Sequence, residues 1–142
     1  MIIKRVNREE AERIFIVMLA NDANVTADGT VCLETTAASV DGIKVNRGAT
    51  AIIANHLMVG VADSTAASGV YFLCQIYGYR STSKVLASNA DQALGVALNA
   101  ASAQVYLSSY ASTIGVVPPA VLLESATSSN GTVSRKIFLR CM

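Results

Sequence analysis

Side chains able to do chemistry are few in this chain, and they are scattered. His56 is the single histidine, set in AIIANHLMVG. A general base needs a partner held within hydrogen-bond reach, and no motif surrounds this one. A lone histidine after an apolar run is more often structural or merely exposed. Glu9, Glu10 and Glu12 lie among Arg5, Arg8 and Arg13, a pattern of solvated ion pairs. Asp63, Asp91 and Glu124 stand at or near turn entries, and turn chemistry accounts for both aspartates. A calcium site would need several more oxygens held close by. Cys32, Cys74 and Cys141 are odd in number, widely spaced and without a CxxC pair. That is poor material for a disulfide framework or a zinc site. Gly60, Gly69 and Gly78 are nine apart and form no phosphate-binding loop. The expectation is a protein that is not an enzyme, with no metal and no cofactor.

Function must then reside in surfaces, and composition says which. The 142 residues are 52% hydrophobic, 6% aromatic and 15% charged, where an ordinary domain carries about 25% charge. Residues 1–13 hold seven of the twenty-one charges, whereas residues 85–134 hold only Asp91 and Glu124. Either Ser, Thr, Asn and Gln solvate that region, or another protein chain covers it. A net charge of +1 offers no basic stripe for nucleic acid. No apolar run approaches the ~20 residues that span a bilayer. Met1-Ile2-Ile3 runs straight into Lys4, Arg5 and Arg8, which is no secretory leader, so the expected site of synthesis is the cytoplasm.

The elements that would position any surface read as strands. Residues 57–79, LMVGVADSTAASGVYFLCQIYGY, give an apolar run, a small polar turn and a β-branched and aromatic run, the pattern of a β-hairpin. A similar phrase returns at 93–107, ALGVALNAASAQVYL, and again at 120–139, AVLLESATSSNGTVSRKIFL. Residues 14–19, IFIVML, form a continuous apolar run without helical period, better suited to a buried strand. Asp28-Gly29 and Asp41-Gly42 mark turns, and Asn130-Gly131 is the strongest short hairpin signal. Pro118-Pro119 reads as a stiff corner. Cys32 and Cys74 read as small core residues. The predicted fold is all-β: a small antiparallel β-sandwich or barrel of successive hairpins over residues 14–142, preceded by an extended or briefly helical arm, residues 1–13.

RIFIVMLANDANVTADGTVCLE followed by MVGVADSTAASGVYFLCQIYGY, with the two later phrases, resembles the small head proteins of tailed bacteriophages known as capsid decoration or cement proteins. The resemblance implies an all-β protein on the outer surface of an icosahedral head. There it would bind the major capsid protein, lock neighbouring subunits against internal DNA pressure, and act as a homo-oligomer, a trimer before a dimer. Many modest contacts on one shell add through avidity. The alternative is a carbohydrate- or host-surface-binding β-domain of a virion, in a head fibre or beside the tail; the absence of Trp counts against it. Contact residues are expected from this sequence itself, because arginine and tyrosine are favoured at interfaces: Arg5, Arg8, Arg13, Tyr77, Tyr79 and Arg80.

Overall fold

The computed structural model describes residues 12–21, 25–34, 42–47, 58–87, 92–100, 107–109, 117–127 and 131–141. Regular structure among them is entirely β. The strands are β1 (Ile14–Ala20), β2 (Thr30–Leu33), β3 (Lys44–Arg47), β4 (Met58–Ala62), β5 (Tyr71–Arg80), β6 (Lys84–Ala87), β7 (Ala97–Ala100), β8 (Leu107–Ser109), β9 (Ala120–Leu122), β10 (Gly131–Ser134) and β11 (Ile137–Arg140). The apolar run at 14–19 is a strand, as its lack of helical period requires. His56, Arg5, Arg8 and most of the 1–13 arm lie outside the described residues.

Strand order is β1-β3-β2-β4-β5-β11-β9-β7-β8-β6-β10, and β1 also pairs with β5. Strands β1 to β5 therefore close on themselves as a ring, hereafter barrel one. Strands β6 to β11 repeat that order as barrel two: β10 pairs with β6 and β11 with β9, so β10 and β11, separated only by Arg135 and Lys136, together fill the one strand position that β5 holds in barrel one. The pairings are antiparallel, as expected, except for two. Leu19 and Ala20 pair in parallel with Lys44 and Val45, and Val85 pairs in parallel with Leu107. Five strands in a closed ring cannot alternate direction all the way round, so one parallel pair in each is a geometric necessity. Closure also removes the free edges that make open sheets prone to self-pairing.

The two rings are copies of one design. In barrel one, Val25 and Ala66 exchange both backbone bonds, at 2.8 and 2.9 Å; in barrel two, Gln92 and Ala126 do so at 2.7 and 2.9 Å. The Gly29 N–H donates to the Thr26 carbonyl as Val96 does to Ala93, at 3.0 and 3.3 Å. Asp28 donates to the Ala62 carbonyl as Gly95 does to Leu122, at 3.0 and 2.9 Å. Even the left-handed residue of this turn is shared: Asp28 has φ 61° and Gly95 φ 84°. The repetition is thus twofold. The phrases at 57–79 and 120–139 are equivalent, being β4–β5 and β9–β10–β11. The phrase at 93–107 instead spans β7 and the approach to β8, the counterpart of β2–β3.

Each ring closes over its own apolar interior. Met18, Ala20, Val25, Val31, Val45, Ala62, Phe72 and Cys74 fill barrel one. Val85, Ala87, Leu98, Leu107, Leu122, Ile137 and Leu139 fill barrel two, and Cys32, Met58 and Val61 from the outside of barrel one join that second cluster. Burying each of the Val, Leu, Ile, Phe and Met side chains contributes about 1.5–3 kcal/mol, the alanines less. The seam is continuous hydrogen-bonded sheet, with Ile137 opposite Arg80 and Leu139 opposite Gly78. Gly78 (φ +97°) lies beneath the incoming chain. A Cβ there would stand 1.9 Å from the Glu12 carbonyl oxygen, so only glycine fits.

A candidate interaction surface on the second barrel

At the junction of the rings a buried arginine organises the polar groups. The Arg80 Nη2 donates to the Asp28 carboxylate at 2.7 Å and to the Ala62 carbonyl at 3.0 Å. Its Nη1 donates to Gln75 Oε1 at 3.2 Å and to the Asp63 carboxylate at 3.3 Å, and its Nε to the Thr82 carbonyl at 2.8 Å. The buried Gln75 in turn donates to the carbonyls of Tyr77 and Tyr79, at 3.2 and 2.9 Å. This is a planar fork with all its donors directed inward. It explains why Asp28 occupies a left-handed position where its counterpart is Gly95. Aspartate tolerates that conformation, and here its carboxylate is needed.

Arg80, expected at an outer contact, is therefore an internal brace, only 6% exposed. The tyrosines expected beside it do face outward, together with a different base. The Arg13 guanidinium lies over the Tyr79 ring, 5.7 Å from its centroid, a cation–π geometry. Tyr77 meets Phe138 edge-to-face with centroids 5.3 Å apart and an 80° interplanar angle. Tyr77, Tyr79 and Arg13 are thus brought together, and Phe138 is the member that sequence reasoning missed. Alternation carried the signal: positions 72, 74, 76, 78 and 80 share a parity that is inward in barrel one.

These aromatics end a row that register defines across four strands. Ala97 lies opposite Val121, Val121 opposite Phe138, and Phe138 opposite Tyr79. Side chains at directly paired positions project from the same face. All four are half-buried, and around them Leu94 is 68%, Val117 68% and Leu123 37% exposed. The equivalent row of barrel one, Thr30–Val61–Gln75, is completely covered, at 1%, 0% and 1% exposure. A second apolar strip lies outside β1 and β5, where Val17 faces Leu73 and Leu19 faces Tyr71.

Charge is spent locally around the barrel-two row. Lys136 pairs with Glu124 at 3.6 Å, Arg135 Nε donates to the Ser125 carbonyl at 2.9 Å, and Arg140 Nε to the Pro118 carbonyl at 2.8 Å. Burial pushes the Cys141 thiol up to about 12, and burial together with nearby Cys141 raises Cys74 further. Both are unreactive protonated thiols at neutral pH. Among the described residues no group of three or more His, Cys, Asp or Glu could hold a metal ion.

No protein-family model and no curated protein sequence matches the chain. Among solved structures it is similar to the head fibre gp8.5 N base of bacteriophage phi29, with TM-score 0.56 and 15% identity over 91% of this chain and 95% of that one. The shared property at this identity is the fold, and nearly the whole of both chains takes part in it.

Proposed function

We propose that the chain is a structural protein of a phage virion, seated on the outer surface of the head and bound there to the major capsid protein. The observation that carries this reading is the end-to-end fold likeness to a head fibre base, 91% of one chain on 95% of the other. A scarcity of charge and a pair of outward apolar faces fit a protein that spends its working life against other chains. Two finer roles share this seat. One is a cement that clamps neighbouring capsid subunits; the other is the base of a projecting fibre. The fibre neighbour favours the second.

Incubating the purified chain with heads from the phage that encodes it, then sedimenting the heads, tests the seat. Saturable co-sedimentation supports it; failure to bind those heads at any ratio overturns it. The two finer roles separate by heating decorated and bare heads. A cement raises the temperature at which DNA escapes, whereas a fibre base leaves it unchanged.

A further inference from the structure

We infer that the half-exposed outer row of barrel two, Ala97–Val121–Phe138 with Leu94 and Leu123 beside it, is where a second copy of this chain docks. The molecule supplies its own precedent. Thr30–Val61–Gln75 is the same row in the same design, and it is buried, with the neighbouring Cys32, Met58 and Val61 joining the apolar cluster of another barrel. What is fully covered in the first unit is left half-exposed in the second.

Residue replacements follow the difference. By the shared turn geometry, Leu94 stands where barrel one has Ala27, and Leu123 where it has Asp63. Barrel one uses Asp28 and Asp63 at this corner to hold Arg80. Barrel two has Gly95 and Leu123 there, an uncharged corner with two exposed leucines. The centre of the face is apolar, and its rim charges are already satisfied by Glu124–Lys136 and by carbonyl acceptors of Arg135 and Arg140. This is the anatomy of an interface core with a polar rim.

The occupant follows from charge. Residues 85–134, which take in β7 to β10 and all of β6 except Lys84, contain two acids and no base. Such a face offers nothing to a charged partner. Two copies of it meet without leaving any charge unpaired, and closed homo-oligomers are the usual outcome of such self-complementarity. The same face of every copy lies at the contact. The inference stands apart from the phage reading, since it needs no shell.

Light scattering on the purified chain over a wide concentration range is the test. The expected mass is a discrete multiple of one chain. The double variant Leu94→Glu/Leu123→Glu weakens association at least about 30-fold, because each carboxylate would be buried unpaired. A double variant of the other apolar strip, Val17→Glu/Leu73→Glu, keeps the wild-type mass. Circular dichroism checks folding of each, and Leu94→Ser/Leu123→Ser gives the same weakening at smaller amplitude should the glutamates perturb the barrel. Three results overturn the inference: a wild-type chain that stays monomeric at about 1 mM, where even weak contacts populate; an oligomer unaffected by the barrel-two variants; or dissociation caused equally by the β1–β5 variant.

Discussion

Barrel one and barrel two have the same backbone bonds and different fillings. Where barrel one places Ala62 and Cys74 opposite each other, barrel two places Leu122 and Ile137. Barrel one recovers bulk elsewhere, with Met18 against Phe72 where barrel two has Val85 against Val133. Volume is redistributed around the ring and the ring itself is unchanged. Backbone pairing, together with a small inward side chain wherever its neighbour is large, is what the design demands. The surfaces have diverged further than the cores. One barrel carries a charged corner, Asp28 and Asp63 around Arg80; the other carries a neutral one, with Gly95 and Leu123 in those places.

Cutting barrel two back towards barrel one gives the largest expected effect. Leu122→Ala places barrel one's residue in barrel two without barrel one's compensating Phe72, and costs about 2–5 kcal/mol through the cavity left behind. Urea denaturation measures it. A cost below ~1 kcal/mol would show that barrel two tolerates the loose packing of its twin.

Removing the brace comes next. Arg80→Met removes the guanidinium from Asp28, Asp63 and Gln75, and leaves Asp28 the Thr82 hydroxyl at 2.8 Å. Asp63 is half-exposed and Asp28 a third exposed, so water satisfies them partly. The cost falls to about 1–3 kcal/mol, below that of a fully buried pair. The turn keeps residue 28 left-handed with or without the arginine, as Gly95 shows, but without Arg80 the Asp28 carboxylate no longer offsets the cost of that conformation. In the Arg80→Met background, therefore, Asp28→Gly is neutral or stabilising, whereas in the wild type it destabilises. Equality of the two measurements would refute the account of the corner.

Titration separates the barrels by another route. Cys74 lines barrel one, and its counterpart Ile137 cannot ionise. Because burial raises the folded-state thiol values above the ordinary 9.0, the unfolded chain releases those protons first. Stability is fully present below about pH 9 and declines as pH rises towards about 12, by up to about 1.4 kcal/mol per pH unit for each thiol. Cys74→Val flattens that alkaline decline by one thiol's share. Thermal melts from pH 8 to pH 11 would show it, and an unchanged slope would contradict it.

The smallest effect belongs to the twin turn. Gly95→Asp reproduces barrel one's left-handed aspartate with no arginine to receive it, and costs about 1 kcal/mol or less.

Much of this was legible before the structure. Continuous apolar runs located β1, β4 and β5, and Asp28-Gly29 marked its turn, because burial and turn chemistry act within a few residues. The duplication was half legible. ALGVALNAASAQVYL mimics GVADSTAASGVYFL in its small residues, yet it is the other hairpin, since Ala, Val and Ser are interchangeable in a thin core and carry little register information. Parallel closure was invisible, being a property of the ring and of no single strand. Arg80 was misplaced because its charge was weighed and its parity was not. Arg13 over Tyr79 joins residues sixty-six positions apart, a pairing that no local pattern encodes.

Closure of each ring by its first and last strands also sets an order of events during synthesis. Barrel one has no partner for β1 along β5 until residues 71–80 have emerged, and it can then close while barrel two is still unfinished. For that interval the nascent chain displays Cys32, Met58 and Val61 to solvent, side chains that the finished molecule hides entirely or nearly so. A ribosome paused well beyond Arg80, once β5 has cleared the exit tunnel but before β11 is made, would hold out barrel one with a sticky flank, and slow translation there is when this protein is most exposed to misassembly.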